Sequence, residues 1–430
     1  MRERALGKEA AWEALFNRHD IVSRIKSDGY YSISASDINK FHEARLMTKF
    51  DHSIQLPEIF KRNGLTIQPD SRGTYVIGPF ESYFSIPYDS DVDIEHLSFP
   101  EDIETIDPQK IYSESAAILC ADLSGMINLV LSEEVRLTVF GRMSTGSFSY
   151  RIRNSATKTH QEINVNKSQC EIDAGFEGTT AFAIIEVKNE SISDFMVRQL
   201  YYPYRKWCAS ISKPIIPILM TFSSDIFTFN VFRFNVLDDY NSLELIKQRK
   251  FRIVPHEIQI KDIINLLDKT KIENEPDLPF PQADSFPRVL DLLQKLYFND
   301  SPLTRDYITE NYAFDARQTQ YYTSAAAYLG LVDRKRSGKT VSYELTAKGR
   351  NIMKLPSEKR QLALAACILS RTIFNRALHR YFQNSEEPTI RDIVNLMKEV
   401  KTTMSKESTY SRRSQTVLSW IRWILQLTKG

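Results

Sequence analysis

Between Cys170 and Glu190 the chain reads CEIDAGFEGTTAFAIIEVKNE, which places Asp173 thirteen residues ahead of Glu186, with Lys188 two residues further on. Apolar residues surround both acids, and Ala183-Ile184-Ile185 runs directly into Glu186. A carboxylate in apolar surroundings is costly unless it is paired, metal-bound or put to use. On neighbouring strands of one sheet Asp173 and Glu186 meet, and Lys188 shares the face of Glu186 because residues two apart on a strand point the same way. Two hard oxygen ligands, with the Val187 carbonyl as a third, suit Mg²⁺, which keeps several waters and is completed by substrate phosphate. Lys188 then orients the attacking water or stabilises charge developing on phosphorus, while the metal lowers the pKa of that water. This chemistry is phosphodiester hydrolysis; the alternative for the same residues is an edge strand with a Glu/Lys pair in solvent. Glu171 shares the parity of Asp173 and reads either as a support or substitute ligand of the site or as a solvent-facing strand residue.

The elements that must hold these residues are legible as hydrophobic patterning. From Ile111 to Leu131 apolar residues recur at helical spacing, so a long helix is predicted there with Glu114 near its start. Strands follow at 135–140, 147–153, 162–165, 168–173 and 181–187, then a helix capped by Ser193 or Asp194 and running to about Ser210. Further apolar strands at 215–221 and 227–234 complete an α/β sandwich with helices flanking a mixed sheet. Ahead of this domain, residues 1–85 carry helical patterning at 9–26 and 36–49 and a strand at 73–78. Residues 86–110 are acidic, hold three prolines and read as connecting structure.

With 430 residues the chain has room for about two to three domains. No apolar run approaches the roughly 18 residues needed to span a bilayer, and the N-terminus lacks the apolar core of a signal peptide, which makes a cytoplasmic protein the expectation. Four scattered cysteines support neither a disulfide framework nor a zinc site. The net charge of +2 hides an asymmetry: from Phe286 onward 24 Lys and Arg face 13 Asp and Glu, a net of +11, which leaves the preceding part at −9. A basic module on an acidic body suggests a polyanionic partner, or else a lysine-rich soluble surface.

The boundary between the two parts lies in 273–287, whose four prolines read as a linker after a domain spanning 86–272. Residues 288–355 then give helices at 288–298, 303–311 and 315–329 and a basic hairpin around Ser337-Gly338-Lys339, the winged-helix plan. On that plan the third helix presents Arg317, Gln318, Gln320 and Thr323 to base edges. Arg334, Lys335, Arg336 and Lys339 on the wing then meet phosphates. Residues 356–430 are a helical region, read either as a second, degenerate winged helix or as a cap on the first, with Arg412 and Arg413 assigned to the DNA surface.

Together EIDAGFEG, IIEVKN and FMVRQLYYPYR, with EARLMTKFDH, SRGTYVIG and GRMSTGSFSYRI before them, resemble the PD-(D/E)xK nuclease superfamily, and within it the type II restriction endonucleases. The resemblance covers roughly residues 20 to 235, with Ile172 in place of the proline that usually precedes the first acid. It implies a restriction-endonuclease-like fold and Mg²⁺-dependent, sequence-specific cutting of double-stranded DNA by a homodimer in a prokaryotic cytoplasm. A cognate methyltransferase acting on the same sequence is implied too. Asp173, Glu186 and Lys188 take the metal-binding and water-activating positions, and Glu114 and Gln199 correspond to an acid on the preceding helix and a glutamine on the following one. A winged-helix regulator with an idle nuclease fold and a structure-dependent repair nuclease remain the other two readings.

Overall fold

The computed structural model describes residues 7–87, 92–253, 258–311, 314–338, 340–384, 386–400 and 407–428. The first region packs α1 (Lys8–His19), α2 (Ile21–Asp28) and the short helices α3 (Ala35–Ile38), α4 (Ala44–Met47) and α5 (Glu58–Asn63) on a three-stranded sheet. That sheet runs β1 (Tyr31–Ser34), β3 (Thr74–Gly78), β2 (Thr66–Pro69). Trp12, Phe16 and Phe60 meet edge to face in its core. The expected helix at 36–49 is two single turns, because Asn39 turns back and its side chain accepts the Ala44 N–H.

The central region begins with β4 (Tyr83–Ser85) and β5 (Ile94–Leu97), followed by α6 (Glu114–Leu123) and α7 (Met126–Leu131). Gly125, at φ 73°, breaks the single helix expected over 111–131 into these two. Next come β6 (Arg136–Ser144), the β7 (Ser147–Arg153) and β8 (His160–Asn166) hairpin, β9 (Gln169–Glu177), β10 (Phe182–Lys188), β11 (Asp194–Met196) and α8 (Arg198–Cys208). The region closes with β12 (Ile215–Ser223), β13 (Ile226–Phe234) and β14 (Leu243–Ile253).

Seven of these strands form one mixed sheet in the order β5-β14-β13-β12-β10-β9-β6, with β10/β12 and β14/β5 parallel. One face, with Ala174, Phe176, Ile185, Val187, Ile218 and Met220, is covered by α6 and α7. The other takes Leu200, Tyr201 and Tyr202 of α8 together with the β7–β8 hairpin. The aromatic run of α8 is therefore core, with Tyr201 and Tyr202 fully buried.

Two expectations fail at the margins of this sheet. The stretch 86–110 contributes the edge strand β5, and Asp194 begins a strand on β4 instead of capping a helix. The Asp194 carboxylate instead takes the Ser53 N–H and hydroxyl, and α8 starts only at Arg198, four residues on.

The C-terminal region comprises α9 (Ile260–Lys269), α10 (Phe286–Tyr297), β15 (Leu303–Thr304), α11 (Arg305–Asn311), α12 (Ala316–Tyr328), β16 (Val332–Ser337) and β17 (Thr340–Leu345). After them come α13 (Ala347–Met353), α14 (Ser357–Leu369), α15 (Thr372–Asn384), α16 (Ile390–Glu399) and α17 (Glu407–Gln426). Helices α10, α11 and α12 with the sheet β15-β17-β16 follow the winged-helix order. The described residues after Leu345 form helices α13 to α17 and include no strand that would make a second wing.

The proline-rich stretch 273–287 is not a free linker. Phe280 and Ala283 are buried in the same core as α9 to α17, Trp420 Nε1 donates to the Ala283 carbonyl, and Thr416 Oγ1 donates to Asp284. This strap seals the region in one core, and α10 already starts at Phe286.

Candidate active site

Strands β9 and β10 pair antiparallel from Phe182↔Glu177 to Ile185↔Ala174 and then part. The next register position would set Glu186 opposite Asp173. There the Val187 N–H bonds not to β9 backbone but to Asp173 Oδ2, at 2.8 Å. A strand residue directs its N–H and C=O to the same side, so the Val187 carbonyl faces the same gap as the acids. Glu186 and Lys188 project from the α8 face of β10, both buried, with Lys188 Nζ 2.6 Å from Glu186 Oε1. Gln199, in the first turn of α8, donates Nε2 to the same oxygen at 2.5 Å, while its own Oε1 is buried with no partner among the described residues.

Glu114 enters from the opposite layer. Ser113 Oγ accepts the Ala116 N–H to start α6, which sets Glu114 in the first turn near Lys188 and Asp173. Asp51, from the first region, closes the cluster: its backbone carbonyl accepts the Met196 N–H, and its carboxylate acts on Lys188. Asp51 lies in EARLMTKFDH, a stretch whose residue types alone assign it no chemistry. Its 122-residue separation from Asp173 closes only in the tertiary fold, and the Asp51-His52 pair directly after Phe50 is the one signal the sequence offers.

Burial raises the carboxyls of Asp173 and Glu114, partly offset by Lys188, and pushes Glu186 up to about 8 against the pull of Lys188 because Asp173 and Asp51 add negative charge. Burial alone would lower Lys188, yet Glu186, Asp51 and Glu114 outweigh it and hold the ammonium protonated. Asp51 is lowered despite burial by Lys188 and Lys49, and burial keeps His52 neutral, its Nδ1 against the Asp194 carbonyl at 2.6 Å.

Four acids thus surround one buried cation. Among the described residues, no group of three or more His, Cys, Asp or Glu side chains is arranged to hold a metal ion. A divalent cation bound here would rest on Asp173, Glu186 and the Val187 carbonyl, completed by water. The donor set fits such a role: no described group hydrogen-bonds to Asp173 Oδ1 or Glu186 Oε2, and both are hard oxygens. Glu171 stands apart, exposed and paired with Arg142 at 3.1 Å.

The expected DNA-facing residues divide. Arg317 and Gln320 are exposed on one stripe of α12 with Ser324. Thr323 is buried and bonds the Thr319 carbonyl, so it faces no groove, and Gln318 Oε1 accepts from Arg288. Arg334, Lys335 and Arg336 are exposed on β16, with Lys335 paired to Glu344, while Lys339 lies outside the described residues. Arg412 is exposed; Arg413 is half-buried, its Nε unpartnered among the described residues.

No helix among the described residues is long and apolar enough to cross a membrane. Three family models match the chain, each described as a domain of unknown function: DUF6996 over residues 9–77, DUF6997 over 78–252 and DUF7226 over 288–429. No curated protein and no solved structure matches it. The chain is thus similar to three domain families in succession, the last running through α10 to α12, the β15-β17-β16 sheet and the helices after them.

Proposed function

We propose that the protein is a Mg²⁺-dependent DNA endonuclease of the restriction-endonuclease-like fold, cutting at β9/β10 and reading DNA with α12 and the β16–β17 wing. The observation that carries the reading is the parting of two strands where Asp173 and Glu186 stand opposite each other, with Lys188 on the same face. A bound Mg²⁺ would polarise the phosphate and acidify a water. Asp173, Glu186 and the Val187 carbonyl would hold it. Lys188 directs its ammonium at a non-bridging phosphate oxygen or at the incoming water, and Gln199 fixes the Glu186 carboxylate that would otherwise swing to Lys188 alone. The water oxygen bonds to phosphorus as it gives up a proton to bulk water, the ester P–O bond breaks, and the leaving oxygen takes a proton from bulk water. The acidic body would repel a duplex, so the basic C-terminal region supplies the attraction. One site per chain makes double-strand cutting the work of a homodimer, and sequence-specific restriction with a partner methyltransferase is the form of this activity that base-reading side chains such as Arg317 and Gln320 favour.

The test is digestion of mixed linear and supercoiled DNA with Mg²⁺, followed by sequencing of the ends. Discrete fragments are expected from the parent chain, and none from Asp173→Ala or Glu186→Ala, both of which should still bind duplex. Cutting confined to ends and junctions would favour a repair nuclease. Binding without cutting would favour a regulator, and undiminished cutting by either variant would remove the site assignment.

A further inference from the structure

Lys188 is followed by a segment held from both sides. At its far end Asp194 takes the Ser53 N–H and hydroxyl, the Asp194 carbonyl meets His52, and Met196 donates to Asp51. At its near end the partners come from α10 of the C-terminal region. The Ser191 N–H donates to Asp291 Oδ2 at 2.8 Å, and the Ser191 carbonyl accepts from Arg288 Nε at 3.3 Å. Asp291 Oδ1 takes the Ser223 hydroxyl at 2.8 Å, on β12 beside β10. Both side chains are buried, and a carboxylate buried on a helix that also buries Leu290, Leu292, Leu293 and Leu296 is an expensive choice unless its bonds are needed.

Arg288 does more than hold Ser191. Its Nη1 donates to Gln318 Oε1 at 3.1 Å, and its guanidinium lies over the rings of Phe314 and Tyr322. Gln318 stands in the first turn of α12, where Asp315 caps its N–H. One rigid fork therefore spans from the helix aligned for base reading to the backbone three residues after Lys188.

We infer that Arg288 and Asp291 are positioning residues for the catalytic strand, and that Gln318 belongs with them: it fixes Arg288, and so Ser191, and does not read bases. The inference rests on the proposed nuclease reading. A shift of the β10 exit moves Lys188 relative to Asp173, and displacements of about 1 Å are worth up to ~100-fold in rate. The C-terminal region thus acts on the cutting step as well as on affinity.

The test uses the full chain, with single-turnover cleavage and duplex affinity measured separately. Gln318→Ala, at a half-exposed position, and Arg288→Lys, which keeps the charge, are expected to slow cleavage by about tenfold on every cleavable sequence with Kd held within about twofold. Asp291→Ala should lose at least as much, and Asp291→Asn should restore most of it, because its amide oxygen can take the Ser191 N–H and its amino group can donate to Ser223. Hydrogen exchange in 189–193 should speed up in Gln318→Ala. Parent-like rates in Gln318→Ala and Arg288→Lys, losses that track Kd, altered base preference in Gln318→Ala, or unchanged exchange at 189–193 would each overturn the inference. A parent chain that cuts nothing would overturn the proposed function itself, and the positioning role with it.

Discussion

Lys188 is the buried cation that Glu186, Asp51 and Glu114 hold charged, and it does two things that pull in opposite directions. It neutralises part of a buried negative cluster, which the fold requires, and it would compete with a bound metal cation for Glu186 Oε1, which it approaches to 2.6 Å. At such distances two unit charges interact by several kcal/mol even at an intermediate dielectric. Replacing the ammonium by an apolar chain of similar length, Lys188→Met, is therefore expected to abolish cleavage while tightening Ca²⁺ or Mn²⁺ binding, by roughly tenfold, since a repulsion of about 1.4 kcal/mol is a factor of ten. Calorimetric titration of the folded variant with Ca²⁺ measures this. Weaker binding than in the parent would mean that Lys188 organises the carboxylates instead of repelling the metal.

Asp291 belongs to the element scale, because it joins α10 to the exits of β10 and β12. Burial raises its carboxyl to about 7, against the two hydrogen bonds that lower it. With the folded pKa above the unfolded value, the native state binds the extra proton, so this group's contribution to stability is complete below about pH 4 and declines as pH rises to about 7. Asp291→Asn keeps the acceptor and has no charge to desolvate. Its melting temperature should exceed the parent's at pH 8 by several degrees, and the gap should narrow as pH falls towards 5. Equal gaps at both pH values would show that the carboxylate carries no burial penalty.

The same element shows what patterning can and cannot reveal. Strands β7, β9, β10, β12 and β13 were legible because each is a short apolar or alternating run ended by turn residues. Asp173, Glu186 and Lys188 were legible because they break such runs. β5 was hidden by acids and prolines that an edge strand beside a covering layer tolerates, and β11 by an Asp that looked like a cap. Asp51 showed only as an Asp-His pair after Phe50, and the Ser191 hydrogen bonds of Arg288 and Asp291 not at all, since their meaning lies in which surface each one touches after three regions have closed. Asp291 within VLDLLQKL was a visible anomaly without a visible partner.

For the whole molecule, the decisive feature is that the basic region is docked and not tethered. Asp225, in a positive-φ turn after β12, is buried beneath α14 and takes Arg360 Nη2 at 2.6 Å with Ser357 and Gln361. Arg360 also holds the Gln109 carbonyl. Ile258, Ile263 and Leu267, before the proline-rich strap, lie in the C-terminal core. On the proposed reading, the net +11 from Phe286 onward would therefore meet DNA from a fixed direction relative to the acidic body. Two classes of substitution should then separate. Arg334→Ala and Arg336→Ala, exposed on β16, are expected to weaken binding about equally for all duplexes and to flatten the dependence of log K on log salt by roughly one unit for each phosphate no longer neutralised. Gln320→Ala, on the exposed stripe of α12, is expected to cost about 1 to 3 kcal/mol at the preferred sequence and little elsewhere. Filter binding of the full-length variants over a salt series, on preferred and scrambled duplexes, distinguishes them. A Gln320 variant that weakens both duplexes alike would take base reading away from α12. An unchanged salt slope in both Arg variants would take the wing off the phosphate backbone, leaving the remaining cationic side chains of the region to supply the attraction.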